Sequence, residues 1–415
     1  MENRAMAEAS SGVQPESPRL YRVIRLCCAV LLFLMATIPS ISRCQTLQRP
    51  KPTGSNPTPE AAIPAILAAF DKYEVVGMPE GHGLKDVDDF IFSLIRNPAF
   101  LEKVNDIEVE CGNSLYQPLL DRYIAGQDVP FTEVRKAWRN TTQPMCGTSG
   151  FFEQFFPLVR AINQKLPPGK RLRVLAGDPP IDWNQVKSFQ DVLKVPHRDA
   201  SIASVMEKEV LSKHRKALML FGTFHLMHGV RASAVSIYEK NYPNVTFIIS
   251  ELGTFDTDLP SLSSSTFAAW PVPSLVRTKD TWLGALDLSR FFPPPILIDM
   301  NCNVHNEFPK ELQKTMAELV DAFLYLGPQD LLLSEQMPAD IALDVDYRME
   351  LQRRAALPGY PAGAPGASGT LKEEDRQIVN DAEHPLFVIP KLPNDPELNK
   401  LMVQRCLDAR KNSIY

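Results

Sequence analysis

Val75-Val76-Gly77-Met78-Pro79-Glu80-Gly81-His82-Gly83 reads as a short buried strand running into a turn. The run from Val75 to Met78 is apolar or small at every position, without the alternation of a half-exposed strand. That is the pattern of a strand covered on both faces. Pro79, Gly81 and Gly83 then break the chain and leave Glu80 and His82 two residues apart in the turn.

The same arrangement recurs along the chain. Asp106-Ile107-Glu108-Val109-Glu110 reads as a strand, and Leu172–Ala176 ends in Gly177-Asp178-Pro179-Pro180. Ala217–Phe221 ends in Gly222-Thr223-Phe224-His225, and Val245–Ile249 ends in Ser250-Glu251. Helical spacing of apolar residues separates these strands, from Ile63–Phe70 and Phe90–Ile95 to Leu115–Ala125, Thr132–Trp138, Phe151–Leu166 and Asp199–His214. Strands alternating with helices predict an α/β fold: a mostly parallel central sheet with helices on both faces, helical insertions and an irregular C-terminal extension. Leu259–Pro295 is long and Ser/Pro-rich, as in a lid or binding loop. Ile296–Asp299 reads as a late strand and Leu312–Leu326 as a helix.

Open parallel sheets place their crevice beyond the carboxyl ends of the strands. Those ends here offer Glu80 and His82, Glu108 and Glu110, Asp178, His225 and Glu251. Convergence of these groups makes an acidic, His-containing pocket. A neutral His in such a pocket can take a proton from water while a carboxylate orients it, so general acid–base chemistry suits it. The candidate catalytic set is His82, Glu80, Glu110, His225 and Asp178. Two His and several carboxylates also suit a divalent metal. Glu108 shares the Glu110 face and reads as support; His228 and Glu251 read as structural. No GxSxG, GxxxxGK[ST] or GxGxxG is present, which disfavours serine chemistry and phosphate cradling.

A net charge of −5 over 415 residues gives no concentrated basic face, so nucleic acid is not an expected partner. Arg19, Arg22 and Arg25 precede the apolar stretch Leu26–Ile38, followed by Pro39, Ser40 and Ser42. Basic, apolar and small residues in that order mark a secretory signal, and the run is short for a membrane span. The expected organisation is a signal peptide at 1–44, a disordered leader at 45–60, an α/β catalytic-type domain at 61–345, and a Pro/Gly-rich linker with a C-terminal helical tail at 346–415. An exported protein, periplasmic or secreted, follows, touching a membrane only through an uncleaved signal segment. Cys111, Cys146, Cys302 and Cys406 then have three disulfide pairings open to them, or remain free buried thiols.

At Glu80-Gly81-His82-Gly83 the chain resembles the first motif of erythromycin esterase-like proteins. Lys216–Leu226, with its Gly222-Thr223-Phe224-His225 core, resembles their second His motif. The Gly-x-x-His spacing is also similar to that of Tiki and TraB proteins and ChaN-type haem-binding lipoproteins. The resemblance implies an α/β fold with helical insertions, in which His82 activates water and Glu80, Glu110 and His225 complete the site. Glu80 stands one residue closer to His82 than the esterase motif has it. Two functions follow from the resemblance: a hydrolase acting on an ester or amide of a small-molecule or peptide substrate, or a binding protein that holds haem or a metal without catalysis.

Overall fold

The computed structural model describes residues 53–80, 83–253, 267, 269–292, 297–298, 302–305, 307–335 and 340–359, with 400, 403, 404 and 407 besides. Gly81 and His82, the signal segment, the first half of the leader, the first part of the Leu259–Pro295 loop and most of residues 346–415 lie outside these residues.

The strands are β1 (Pro59–Ala61), β2 (Val75–Met78), β3 (Asp106–Asn113), β4 (Arg173–Asp178), β5 (Ala217–Leu220), β6 (Thr246–Glu251), β7 (Ser274–Arg277), β8 (Leu297–Ile298), β9 (Val304–His305) and β10 (Ala322–Tyr325). Eight of them form one sheet in the order β1-β7-β10-β6-β2-β5-β3-β4. From β10 through β4 every neighbouring pair is parallel. β7 runs against both β10 and β1. The fold is the α/β class expected, with one antiparallel strand near an edge.

Strand alternation divides the core in two. Leu218 and Leu220 of β5 face one side, with Val76, Val109 and Ala176. Helices Lys85–Arg96 and Gly150–Lys165 cover that side. Phe151, Phe152, Phe155 and Phe156 of the second helix are fully buried, each contributing about 1.5–3 kcal/mol by leaving water. Ala217 and Met219 face the other side, with Leu175 and Phe221, under helices Arg198–Val205 and Ala234–Tyr238.

β4 is an edge strand, and two side-chain amides stand where a further strand would pair. Gln117 donates to Val174 O at 2.8 Å and accepts from Ala176 N at 2.8 Å. Asn163 donates to Leu172 O at 2.8 Å and accepts from Leu172 N at 2.9 Å. These bonds satisfy backbone groups that would otherwise template pairing with another chain.

Several expectations need correction. Leu312–Leu326 is not one helix. Only Met316–Leu319 is α-helical, and Ala322–Tyr325 is strand β10, paired with β6. A short apolar run has no periodicity that separates buried strand from helix, and here the sheet takes it. Ser274–Arg277, inside the expected irregular loop, is strand β7. Leu297–Ile298 is a strand, but it pairs with Val304–His305 outside the main sheet. Pro59 and Glu60 of the leader already belong to β1. Helix Val345–Ala355 continues the body past residue 345, held by Arg354, which donates to Arg139 O at 3.0 Å. Among the described residues no helix is long and apolar enough to cross a membrane.

Candidate functional site

Glu110, Asp178 and His225 come together beyond the carboxyl ends of β3, β4 and β5, and Arg198 joins them. Its Nε donates to Asp178 Oδ1 at 2.8 Å and its Nη2 to Glu110 Oε1 at 2.9 Å. Its Nη1 lies 3.4 Å from His225 Nε2. Arg198 is the first residue of helix Arg198–Val205, the second helix after β4, and this helix start carries the guanidinium to the strand ends.

Each acid is held by further bonds. Asp178 accepts from Thr142 N at 2.6 Å and Thr142 Oγ1 at 2.9 Å. Glu110 Oε2 accepts from Gly222 N at 2.6 Å, which ties it to the Gly-x-x-His stretch. The ladder between β3 and β4 shifts here: Val109 pairs with Ala176 and Asn113 with Asp178, so β3 carries two extra residues. Such a bulge re-aims side chains at a strand end. The bulge contains Cys111, which is disulfide-bonded to Cys146, fixing which of the open pairings forms. The bond links Glu110's neighbour to the turn that follows Thr142. Cys302 is also disulfide-bonded.

His225 is oriented from its other nitrogen. Nδ1 is 2.8 Å from Asp199 Oδ1, which also accepts from Ala234 N at 2.9 Å. Nε2 is 3.5 Å from Glu110 Oε1. Burial pulls the imidazole pKa down, but the hydrogen bonds with Asp199 and Glu110 outweigh it and raise it to about 9. His225 is therefore an imidazolium at neutral pH, a donor of positive charge rather than a base.

Glu108 lies deeper on the Glu110 face. It is fully buried, and neither carboxyl oxygen has a hydrogen-bond partner. Burial pushes its pKa well above the carboxylate range, so it is a neutral acid. Gly177 makes its room: a Cβ there would fall 3.1 Å from Glu108 Oε1 and 2.8 Å from the Phe221 ring.

Glu80 is buried at the end of β2 and faces other acids, Asp88 and Glu335. Burial raises the Asp88 pKa to about 9, aided by Glu335, Glu80 and Asp89 and opposed by Lys85. Burial raises that of Glu335 to about 7, where backbone N–H donation from Phe151 opposes it and Glu80 adds to it.

The residues read as structural are placed elsewhere. His228 bridges Glu239 and Asp321, at 3.1 Å from each. Glu251 accepts from Thr223 Oγ1 at 3.3 Å.

Arg198, Asp199, Asp88 and Glu335 were not singled out from the sequence. For Arg198-Asp199, 20 residues beyond the strand end at Asp178, no local pattern pointed to the site. For Glu335, in a loop far along the chain, there was none either.

A metal or haem iron does not fit His225 and Glu110 as they stand. As an imidazolium His225 offers no lone pair to a metal; its Nε2 lies 3.4 Å from Arg198 Nη1, and Nδ1 is engaged by Asp199. Among the described residues no group of three or more His, Cys, Asp or Glu is arranged to hold a metal ion.

No protein-family model matches the chain, and no curated protein matches it either. Among solved structures it is similar to a Bacillus cereus protein, at 11% identity and a TM-score of 0.40 over 66% of this chain and 94% of that one. It is similar to a succinoglycan biosynthesis protein, at 11% identity and a TM-score of 0.45 over 65% and 94%. It is also similar to a mutant of the erythromycin esterase EreC in its open conformation, at 11% identity and a TM-score of 0.38 over 64% and 93%.

Proposed function

We propose that this chain is an exported hydrolase that activates water for attack on an ester or amide. The array Glu110–Arg198–His225–Asp199 carries the reading. It holds an imidazolium and a guanidinium at the strand ends, fixed by buried carboxylates. Preorganised positive charge of this kind stabilises the oxyanion that forms when a carbonyl is attacked. His82, two residues from Glu80, supplies the base that takes the proton from water. Glu110 and Asp178 keep the cations in place. The substrate is a small molecule or a peptide. The signal-like N-terminus supports export, and the Cys111–Cys146 disulfide suits an oxidising compartment.

The test is a panel of ester and amide substrates. His82→Ala and His225→Ala are each expected to lower kcat/KM by about 10²- to 10⁴-fold while circular dichroism shows the fold intact. Wild-type-like turnover in His82→Ala would sink the reading. The mature N-terminus of the protein recovered from the medium or periplasm, read by mass spectrometry, tests export: a retained segment 1–44 counts against it.

A further inference from the structure

Pro79 and two glycines flank Glu80 and His82, and Gly83 has φ +96°, in the left-handed region that favours glycine. A Cβ at Gly83 would meet nothing within 4 Å, so no packing fixes that position. The position of Gly83 is set by bonds made to it by another segment.

Those bonds come from the chain after β10. Glu335 N donates to Gly83 O at 2.6 Å, and Lys85 N donates to Leu333 O at 2.9 Å. Leu84 and Ser334 form an antiparallel bridge between them. Leu333 N donates to Asp86 Oδ2 at 2.7 Å. This short ladder is anchored at its far end by the Glu335 carboxylate. That group accepts from Phe151 N and from Ser149 Oγ, the latter at 3.3 Å, at the start of helix Gly150–Lys165. A rigid, Phe-packed helix is thus tied through one side chain to the residue that follows His82.

We propose that Leu333–Glu335 is a positioning clasp for Gly83–Asp86, the segment that directly follows His82 in the sequence, with Glu335 as its anchor. Glu335 is a positioning residue, since what it holds is the Gly83 backbone. The catalytic consequence rests on reading His82 as the base; the clasp itself does not. A base displaced by about 1 Å can lose on the order of 10²-fold in rate, so a fixed turn matters to turnover more than to folding.

The experiment compares Glu335→Ala with Glu335→Gln in the full chain, by steady-state kinetics and by hydrogen exchange at the Lys85 amide. Glu335→Gln keeps an oxygen to accept from Phe151 N and Ser149 Oγ; Glu335→Ala does not. The expected result for Glu335→Ala is kcat lower by about 10- to 100-fold with KM within about twofold. Its Lys85 amide exchanges at least about tenfold faster, as expected of a locally opened bond. Glu335→Gln stays within about threefold of wild type in both. Unchanged Lys85 exchange in Glu335→Ala overturns the clasp. Equal losses of kcat in the two variants overturn the positioning role, because they would make the carboxyl proton the active feature. If Glu335→Ala fails to fold, Asp86→Ala replaces it: it removes only the acceptor of Leu333 N, and faster Lys85 exchange is again required. If the wild-type protein hydrolyses nothing on the panel, the hydrolase reading falls, and exchange alone still decides the clasp.

Discussion

Two groups of acids sit on opposite sides of one sheet and meet different partners. Helix Arg198–Val205 belongs to the core that contains Ala217 and Met219, and there Glu110, Asp178 and Asp199 meet Arg198 and His225. Helix Lys85–Arg96 belongs to the core that contains Leu218 and Leu220, and there Asp88 and Glu335 face Glu80. Among the described residues the cation acting on Asp88 is Lys85, whose side chain is 45% exposed and bonded to Asp89. Burial is similar on the two sides, so burial does not decide the outcome. Burial raises the Asp178 pKa, but Arg198 and Thr142 oppose it; burial raises the Asp88 pKa to about 9, and neighbouring acids add to it. The first arrangement suits a site that stabilises developing charge, and the second suits a support that must stay neutral.

Removing Arg198 is the hardest test of that contrast. Arg198→Ala leaves Glu110 and Asp178 buried without their shared cation and is expected to destabilise the protein by about 3–5 kcal/mol. Urea unfolding measures this. A loss under about 1 kcal/mol would show that the network does not hold its charges in the way argued, and the comparison would fail.

The acid side makes a smaller, pH-dependent prediction. The folded protein keeps a proton on Asp88 up to about pH 9, whereas an unfolded Asp gives it up near 3.8. The folded pKa is raised, so the stability it contributes is complete below the unfolded value and is lost as pH rises through that window. The slope is at most about 1.4 kcal/mol per pH unit. Asp88→Asn removes this term. The variant should gain on wild type between pH 5 and pH 8, ending about 1–3 kcal/mol more stable. Melting curves at several pH values check it, and parallel profiles for the two proteins would mean that Asp88 is ionised in the fold.

How much of this was legible follows from how local each signal is. The strand ends were readable because an apolar run, a Gly or Pro and a charged residue lie within a few positions, as at Ala217–His225. That is why Glu110, Asp178 and His225 appear both in the sequence reading and in the assembled network. Arg198 is a hub only through partners 20, 88 and 27 residues away, a relation no local pattern carries. β7 and β10 were missed for a different reason. Four-residue runs such as Ser274–Arg277 acquire their identity from the strands beside them, and β10 lies between β6 and β7. Glu335 was invisible because a loop carboxylate is ordinarily solvated, and only the folded chain brings it to the Ser149–Phe151 turn.

The smallest effect belongs to the acid side's own cation. Lys85 is bonded to Asp89 at 2.6 Å in an i,i+4 pair, with side chains 45% and 59% exposed. An exposed pair of this kind contributes about 0.3–0.5 kcal/mol, because water screens both charges and each long side chain loses freedom when held. Lys85→Met should therefore cost no more than about 0.5 kcal/mol at neutral pH. Added salt should shrink even that, since a screened surface pair weakens with ionic strength. The same kind of change, loss of one cation beside buried acids, thus differs by several kcal/mol between Arg198 and Lys85. The difference arises because Asp88 near Lys85 meets its burial by keeping a proton, whereas the acids around Arg198 share a buried guanidinium. A Lys85→Met loss as large as that of Arg198→Ala, measured in the same urea series, would mean that Asp88 is ionised and leans on Lys85. The two sides of the sheet would then be alike.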